Sequence, residues 1–461
     1  MSRPQSGRRG GRGANRTRLL ISIFPNALEL SMSSFLTCPI AALDAIEILD
    51  SRGTPTLKAT VTLLSGASGS AAVPSGASTG RYEAVELRDE DPKRYFGLGV
   101  RKAIGHVKGE IADALEGRNA LDQQVIDEIL IRLDGSKDKS NLGANAMLAV
   151  SMAVARASAA ACELPLHRTL CDAASFLLPM PMFNVLNGGR HALSSSLDFQ
   201  EFMIVPLGAP SFSEAVRYAA ETFATLRKLL FAMGNSTAVG DEGGFTPKLV
   251  GGNEAACELI VQAIERAGYR PGVDLAIALD PAATSFDRNG AYWLVRAGNH
   301  HYTSEDMIDL YAGWLHKYPI VSIEDGLAED DWQGFAAMTR RLGDRIQIVG
   351  DDNFVTNTRF IQRGIDEHTA NAALIKLNQI GTVTETIAAV RLCQQAGWGT
   401  VISHRSGETE DAFIADFAVA VGAGQIKSGS LSRSERLAKY NRLLEIEREL
   451  GSKAEFVNPY L

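Results

Sequence analysis

Three carboxylates, two lysines and a cluster holding a histidine and an arginine terminate six short apolar runs in the C-terminal half of the chain. Run 275–279 enters Asp280, run 320–323 enters Glu324, and run 346–349 passes through Gly350 into Asp351. Run 372–375 then enters Lys376, 400–402 enters Ser403-His404-Arg405-Ser406, and 425–426 enters Lys427. Taken singly, each acid could cap the following helix or pair with a neighbouring base. Three acids converging without a counter-charge repel one another, and a divalent cation resolves the repulsion. All-oxygen ligation favours Mg2+ over zinc or copper. A lysine beside such an ion, with Arg405 and Lys427 also near, is disfavoured as an ammonium and becomes a candidate general base.

Two further segments could act on a ligand. Asp241-Glu242 lies among Gly240, Gly243 and Gly244, where missing side chains let backbone approach a ligand closely. His404-Arg405-Ser406 offers an imidazole, a guanidinium fork and a hydroxyl, which suits a phosphate or a carboxylate. The small-residue stretch 74–80 could cradle an anion, act as a lid, or be a plain flexible loop.

The six landmarks, taking His404 as the fifth, stand 44, 27, 25, 28 and 23 residues apart. One strand with one return helix takes about that length, so the spacing predicts a parallel sheet. The continuous apolar runs fit strands buried on both faces. Polar residues at the C-terminal ends of such strands mark the active face of a β/α barrel. Before the barrel, residues 46–49 and 56–63 read as strands joined by the turn Asp50-Ser51-Arg52-Gly53, and three alanine-rich helical patterns span roughly 100–175, including 145–161. Between barrel strands, 304–316 reads as an amphipathic helix with Met307, Leu310, Tyr311, Trp314 and Leu315 on one face and Thr303 with Asp306 as its capping box. The expected division is a basic leader at 1–31, an α+β capping domain at 32–175 and a β/α barrel at 176–461, with Pro179-Met180-Pro181 near the boundary.

At 461 residues the chain is long enough for two domains. Residues 1–31 hold six arginines against one acid, a net +5, so the total of −8 leaves the remainder at −13. An acidic body argues against nucleic acid as the main partner. The leader has the composition of an organelle transit segment, yet reads equally as a disordered extension before Met32. Five scattered cysteines fit reduced thiols in a cytoplasm better than a disulfide framework. No apolar run reaches the length expected of a membrane span.

From about residue 40 onward the sequence resembles the enolases. The matching strings include Ile48-Leu49-Asp50-Ser51-Arg52-Gly53, Glu86-Leu87-Arg88-Asp89, Asn187-Gly188-Gly189, Gln200-Glu201-Phe202-Met203-Ile204, Ser322-Ile323-Glu324-Asp325, Ile375-Lys376-Leu377-Asn378-Gln379-Ile380-Gly381-Thr382 and Ile426-Lys427-Ser428-Gly429. The resemblance implies dehydration of 2-phosphoglycerate, a small phosphorylated acid, to phosphoenolpyruvate in glycolysis, with two Mg2+ ions. By the same resemblance Asp280, Glu324 and Asp351 hold the first ion tightly and Ser78 helps hold the second. Lys376 would be the base at C2, and Glu242 the acid at the C3 hydroxyl with Glu201 beside it. His191, Arg405, Ser406 and Lys427 would hold substrate phosphate and carboxylate, with Glu324 and Asp351 also facing substrate. A cytoplasmic homodimer or an assembly of dimers is expected, with a secondary cell-surface or secreted pool left open.

The sequence also departs from the family pattern. The segment from His191 to Glu201 is one residue longer and lacks a usual Asn, Thr284-Ser285-Phe286 replaces Ser-Glu-Phe, and Thr54, Leu98 and Ile46 replace Asn, Lys and Arg. Two alternatives therefore stand: a lyase acting on another phosphorylated or acid-sugar substrate, and an enolase-like scaffold with a mainly binding role.

Overall fold

The computed structural model describes residues 37–76, 80–170, 176–296 and 298–460; the leader 1–31 and Ser78 lie outside the described residues. From Cys38 onward the chain forms one compact body.

Its N-terminal part is an antiparallel sheet of β1 (Ile40–Leu49), β2 (Pro55–Leu63) and β3 (Ser68–Ala72), in that order. The turn between β1 and β2 is built by Asp50, whose Oδ1 accepts from the backbone N–H of Arg52 and of Thr54, each at 2.8 Å. Strand β3 was not anticipated, and its small residues explain both the missing signal and the strand's place. A Cβ on Gly69 would lie 2.3 Å from the Ala157 nitrogen and 2.4 Å from the Ala153 oxygen. The sheet therefore packs backbone to backbone on the alanine-rich helix α1 (Ala144–Ala161). Among the described residues, this helix alone is long and apolar enough to cross a membrane, an exception to the sequence expectation. It is nevertheless a buried core helix, laid against β2 and β3.

The barrel closes from eight strands: β4 (Met180–Asn187), β5 (Glu201–Val205), β6 (Ala276–Asp280), β7 (Ile320–Glu324), β8 (Gln347–Gly350), β9 (Ala372–Ile375), β10 (Gly399–Ser403) and β11 (Gly424–Lys427). The six strands read from the spacing are β6 to β11, and all of them pair in parallel. Strand β5 is antiparallel to both its neighbours, which brings Glu201 opposite Asn187 and Asp280. A parallel return from β4 would need a crossover that the short 188–200 connection does not provide. In consequence β5 presents its first residue at the rim where the other strands present their last. The barrel interior is filled by Met180, Met182, Met203, Val205, Ala278, Val349, Leu374 and Val401, and Tyr460 of the C-terminal tail packs against this cluster.

The long 44-residue interval before Glu324 holds an extra hairpin, Tyr292–Leu294 paired with His300–Tyr302, and then helix α2 (Ser304–Trp314). The expected capping box of α2 is present: Thr303 accepts from the Asp306 N–H, and Asp306 accepts from the Thr303 N–H.

Candidate active site

The C-terminal rim of the barrel surrounds a cleft lined by His191, Glu201, Glu242, Asp280, Asp351, Lys376, Arg405, Ser406 and Lys427. Glu324 is buried beside them and bonded to Lys427. Every described residue expected from the sequence is thus gathered in one place.

The three acids end adjacent strands or open the turn beyond them. Lys427 Nζ lies 2.8 Å from Glu324 Oε1, 3.3 Å from Asp280 Oδ2 and 3.4 Å from Glu201 Oε2. Asp351 is taken separately: Lys376 Nζ approaches its Oδ2 to 2.5 Å and Gln379 Nε2 donates to its Oδ1 at 2.9 Å. Burial first, and then the charge of Asp280, push the Glu324 carboxyl well above its ordinary value, with Asp351 adding to the rise and Lys427 opposing it. Glu324 Oε2 is buried without a hydrogen-bond partner. An orphaned buried oxygen among mutually repelling acids is an environment that a hard dication satisfies, so the residues present fit Mg2+. A second acidic group, Asp325, Asp351 and Asp352, also brings its oxygens within 4.8 Å of one another. Asp325 holds this turn by accepting from the N–H of Asp351 at 2.9 Å and of Asp352 at 3.1 Å.

The protein groups alone favour a charged Lys376. Burial lowers its pKa and the charges of Arg405 and Lys427 act the same way, yet Asp351 outweighs them and the ammonium is favoured. The reason is geometric: Asp351 turns its carboxylate onto Nζ. The lysine is held from behind by Thr356, whose Oγ1 accepts from the Lys376 N–H at 2.8 Å and donates to Gln379 Oε1 at 2.7 Å. Thr356 has φ +55°, following Val355 at +44°. Left-handed backbone at two consecutive β-branched residues is local strain of the kind that collects at functional sites.

On the opposite side, Glu242 projects from the glycine loop. A Cβ on Gly244 would meet Asn187 Oδ1 at 2.8 Å, and one on Gly240 would meet the His191 oxygen at 2.9 Å. These glycines therefore allow backbone to lie against the β4 end. Glu242 Oε2 accepts from Asn184 Nδ2 at 3.0 Å and faces His191 Nδ1 at 3.4 Å, while Oε1 faces His404 Nε2 at 3.6 Å. Burial raises Glu242, but the two histidines outweigh it and hold the carboxyl well below its usual range. Its neighbour Glu201 is pushed well up, by burial first and then by the charge of Glu242. The proton of this pair accordingly rests on Glu201.

His404 has a defined tautomer. Arg436 Nη1 lies 2.6 Å from its Nδ1, and a guanidinium only donates, so Nδ1 accepts. Burial, with Arg436 adding, holds the ring well below its ordinary pKa, so it is neutral and its proton sits on Nε2, toward Glu242. Arg436 also donates to the carbonyls of Arg405 and Ser406 at 2.5 and 2.6 Å and of Asp241 at 3.0 Å, tying the 240–244 loop to the 404–406 segment.

Arg405, the expected anion clamp, meets Glu83 through Nη1 to Oε2 at 2.8 Å and Nη2 to Oε1 at 3.2 Å, and it meets Asn378 Oδ1 at 2.9 Å. Sequence reasoning missed Glu83, Asn184, Thr356, Gln379 and Arg436. Only Gln379 carried a local signal, standing three residues after Lys376 on the helical turn Leu377–Ile380. Both His191 ring nitrogens and Glu201 Oε2 are buried without hydrogen-bond partners, as expected of groups awaiting a polar ligand.

Comparison with known proteins accords with this geometry. Residues 40–170 match the family model described as Enolase, N-terminal domain, and residues 175–459 match Enolase, C-terminal TIM barrel domain. The chain is 61% identical over 417 residues to Enolase 1 of Methylococcus capsulatus, an alignment covering 90% of this chain and 99% of that protein. It is 58% identical over 417 residues to the Enolase of Desulfotalea psychrophila, covering 90% and 98%. The chain belongs to the enolase family.

Proposed function

We infer that the chain catalyses the enolase reaction of glycolysis, the reversible loss of water from 2-phospho-D-glycerate to give phosphoenolpyruvate. The observation that carries this reading is the division of one cleft into two groups of opposite chemistry. Lys376 stands with Asp351, Glu242 stands with Asn184, His191 and His404, and Lys427 lies among Asp280, Glu324 and Glu201.

The reaction needs that division. A proton alpha to a carboxylate is weakly acidic, and its removal puts a second negative charge on that carboxylate. Hydroxide is a poor leaving group, so an acid must act separately from the base. Once Asp351 no longer stabilises its ammonium, Lys376 loses that proton to solvent and the neutral Nζ takes the proton from C2. The proton held on Glu201 passes through the Glu242 carboxylate to the C3 hydroxyl, which leaves as water, so that the pair is left fully ionised. Asp280, Glu324 and Asp351 are the residues that would hold one Mg2+, and Ser78 would contribute to a second. When bound, the metal supplies Lewis-acid stabilisation of the charge that develops on the substrate carboxylate. Arg405, Ser406, His191 and Lys427 hold the anionic groups of the substrate. The lengthened 191–201 loop does not argue for another substrate, because His191 still faces Glu242 and Glu201.

The chain is further read as a cytoplasmic homodimer or assembly of dimers, supported by family membership and by the unpaired thiols of Cys38, Cys257 and Cys393. The deciding experiment follows phosphoenolpyruvate absorbance with purified protein, 2-phosphoglycerate and Mg2+. Turnover that disappears with chelator and returns with Mg2+ is expected. A folded, Mg2+-loaded protein without turnover overturns the reading.

A further inference from the structure

The connection from β4 to β5 carries His191. It is held by a residue from the extra hairpin before α2. Arg296 Nη2 donates to the Gly189 carbonyl at 3.1 Å. Its Nη1 reaches the carbonyls of Ala192 at 3.0 Å, Leu197 at 3.1 Å and Ser195 at 3.4 Å. Its backbone N–H donates to Asp198 Oδ1 at 2.9 Å. One guanidinium thus gathers carbonyls from Gly189 to Leu197, and they bracket His191 on both sides.

The two halves of the loop are anchored differently. The later half leans on residues 247–253: Ser195 Oγ donates to the Pro247 carbonyl at 3.0 Å, Ser196 Oγ to that of Leu249 at 3.0 Å, and Asn253 Oδ1 accepts from the Asp198 and Phe199 N–H groups at 2.9 and 3.2 Å. The earlier half, which contains His191, has Arg296 on either side of it. A lysine could not replace this clamp, because one ammonium lacks the planar fork needed to serve several fixed carbonyls.

We propose that Arg296 is a positioning residue of the active site, fixing the 189–197 segment so that His191 is presented to Glu242 and to the substrate. The proposal rests on the enolase reading, and its effect passes through His191 alone. A misplacement of a positioned group by an ångström costs up to about a hundredfold in rate, and partial loosening costs less. Arg296→Met, which keeps bulk and removes every donor, is therefore expected to lower kcat/KM about tenfold, chiefly by raising KM for 2-phosphoglycerate, with the melting temperature near that of the parent. Arg296→Lys should fall between the two.

A double-mutant cycle separates positioning from general weakening. If Arg296 acts through His191, adding Arg296→Met to His191→Asn costs almost nothing more. Full additivity overturns the proposal, as does wild-type kcat/KM in Arg296→Met or full activity in His191→Asn. A readout independent of turnover is limited trypsin digestion, because exposed Arg190 lies beside His191. Cleavage after Arg190 should be slow in the parent and faster in Arg296→Met, and unchanged cleavage counts against the clamp. A parent protein inactive on 2-phosphoglycerate would sink the enolase reading, while the digestion would still decide whether Arg296 holds the loop.

Discussion

Lys376 and Asp351 hold each other in the resting site, so on the proposed mechanism the lysine is released as a base only as Asp351 turns to other partners. Glu242 is restrained in a parallel way by Asn184 and two histidines. On that mechanism the two residues act in separable steps, and their variants should differ in kind. Lys376→Met should lower turnover by about a thousandfold, within the range typical of a general base, and also abolish exchange of the C2 proton with deuterated solvent. Glu242→Gln should lose phosphoenolpyruvate formation yet keep C2 exchange, measured by NMR on 2-phosphoglycerate. Loss of exchange in both variants would show that the steps are not divided between these residues. At this scale the strand-end residues Asp280, Glu324, Asp351, Lys376 and Lys427 were legible because each follows an apolar run. Glu201 and His191 became legible only through family resemblance. Glu83 and Arg436 were not legible at all: Glu83 meets a partner 322 positions away, and no local pattern marks such a pair.

The elements explain that difference. Six strands obey the run-then-polar rule because they point the same way, and β5 breaks it because it points the other way. Strand β3 escaped notice because Gly69 and its small neighbours were selected by the closeness of α1, which erases the apolar signature of a strand. The helices outside the barrel are joined by a different kind of contact. Asp416, on the helix Phe413–Val421, accepts from Arg442 Nε at 2.9 Å and Nη2 at 3.0 Å, on the helix Ser434–Leu450, and faces His167 Nδ1 at 3.3 Å. Burial raises Asp416, but the hydrogen bonds from His167 and Arg442 outweigh it and hold the carboxyl below its usual value. A depressed carboxylate contributes stability that is complete above its unfolded pKa, about 4, and is lost as pH falls through the lower folded value. Asp416→Asn should cost about 2 kcal/mol at pH 7, and the gap from the parent should shrink as pH falls below about 4. Urea unfolding across that range checks it, and a gap that does not change with pH would refute the assignment.

Over the whole molecule, the N-terminal part closes the mouth of the barrel rather than standing apart from it. Ser75 bridges to Gly407 by paired backbone hydrogen bonds, Arg433 donates to the Ser51 carbonyl at 2.8 Å, and Glu83 reaches Arg405. The cleft thus lies within a single packed body, and whatever binds its acids bears on the stability of that body. Three carboxylates and one lysine share the floor of the cleft around Lys427, with Glu324 disfavoured as an anion by burial and by Asp280. An ion that binds only the folded state adds stability by mass action, about 2.7 kcal/mol at a concentration one hundred times its Kd. Thermal unfolding of the parent should therefore shift upward with Mg2+ in a saturable way, and the shift should vanish with chelator. Glu324→Gln keeps the size of the side chain and removes one charged ligand, so its melting temperature should respond to Mg2+ only at far higher concentration, and its turnover should fall in step. If Glu324→Gln is stabilised by Mg2+ over the same concentration range as the parent, Glu324 is not a ligand and the ion must be held elsewhere in the cleft, with Asp325, Asp351 and Asp352 the next candidates.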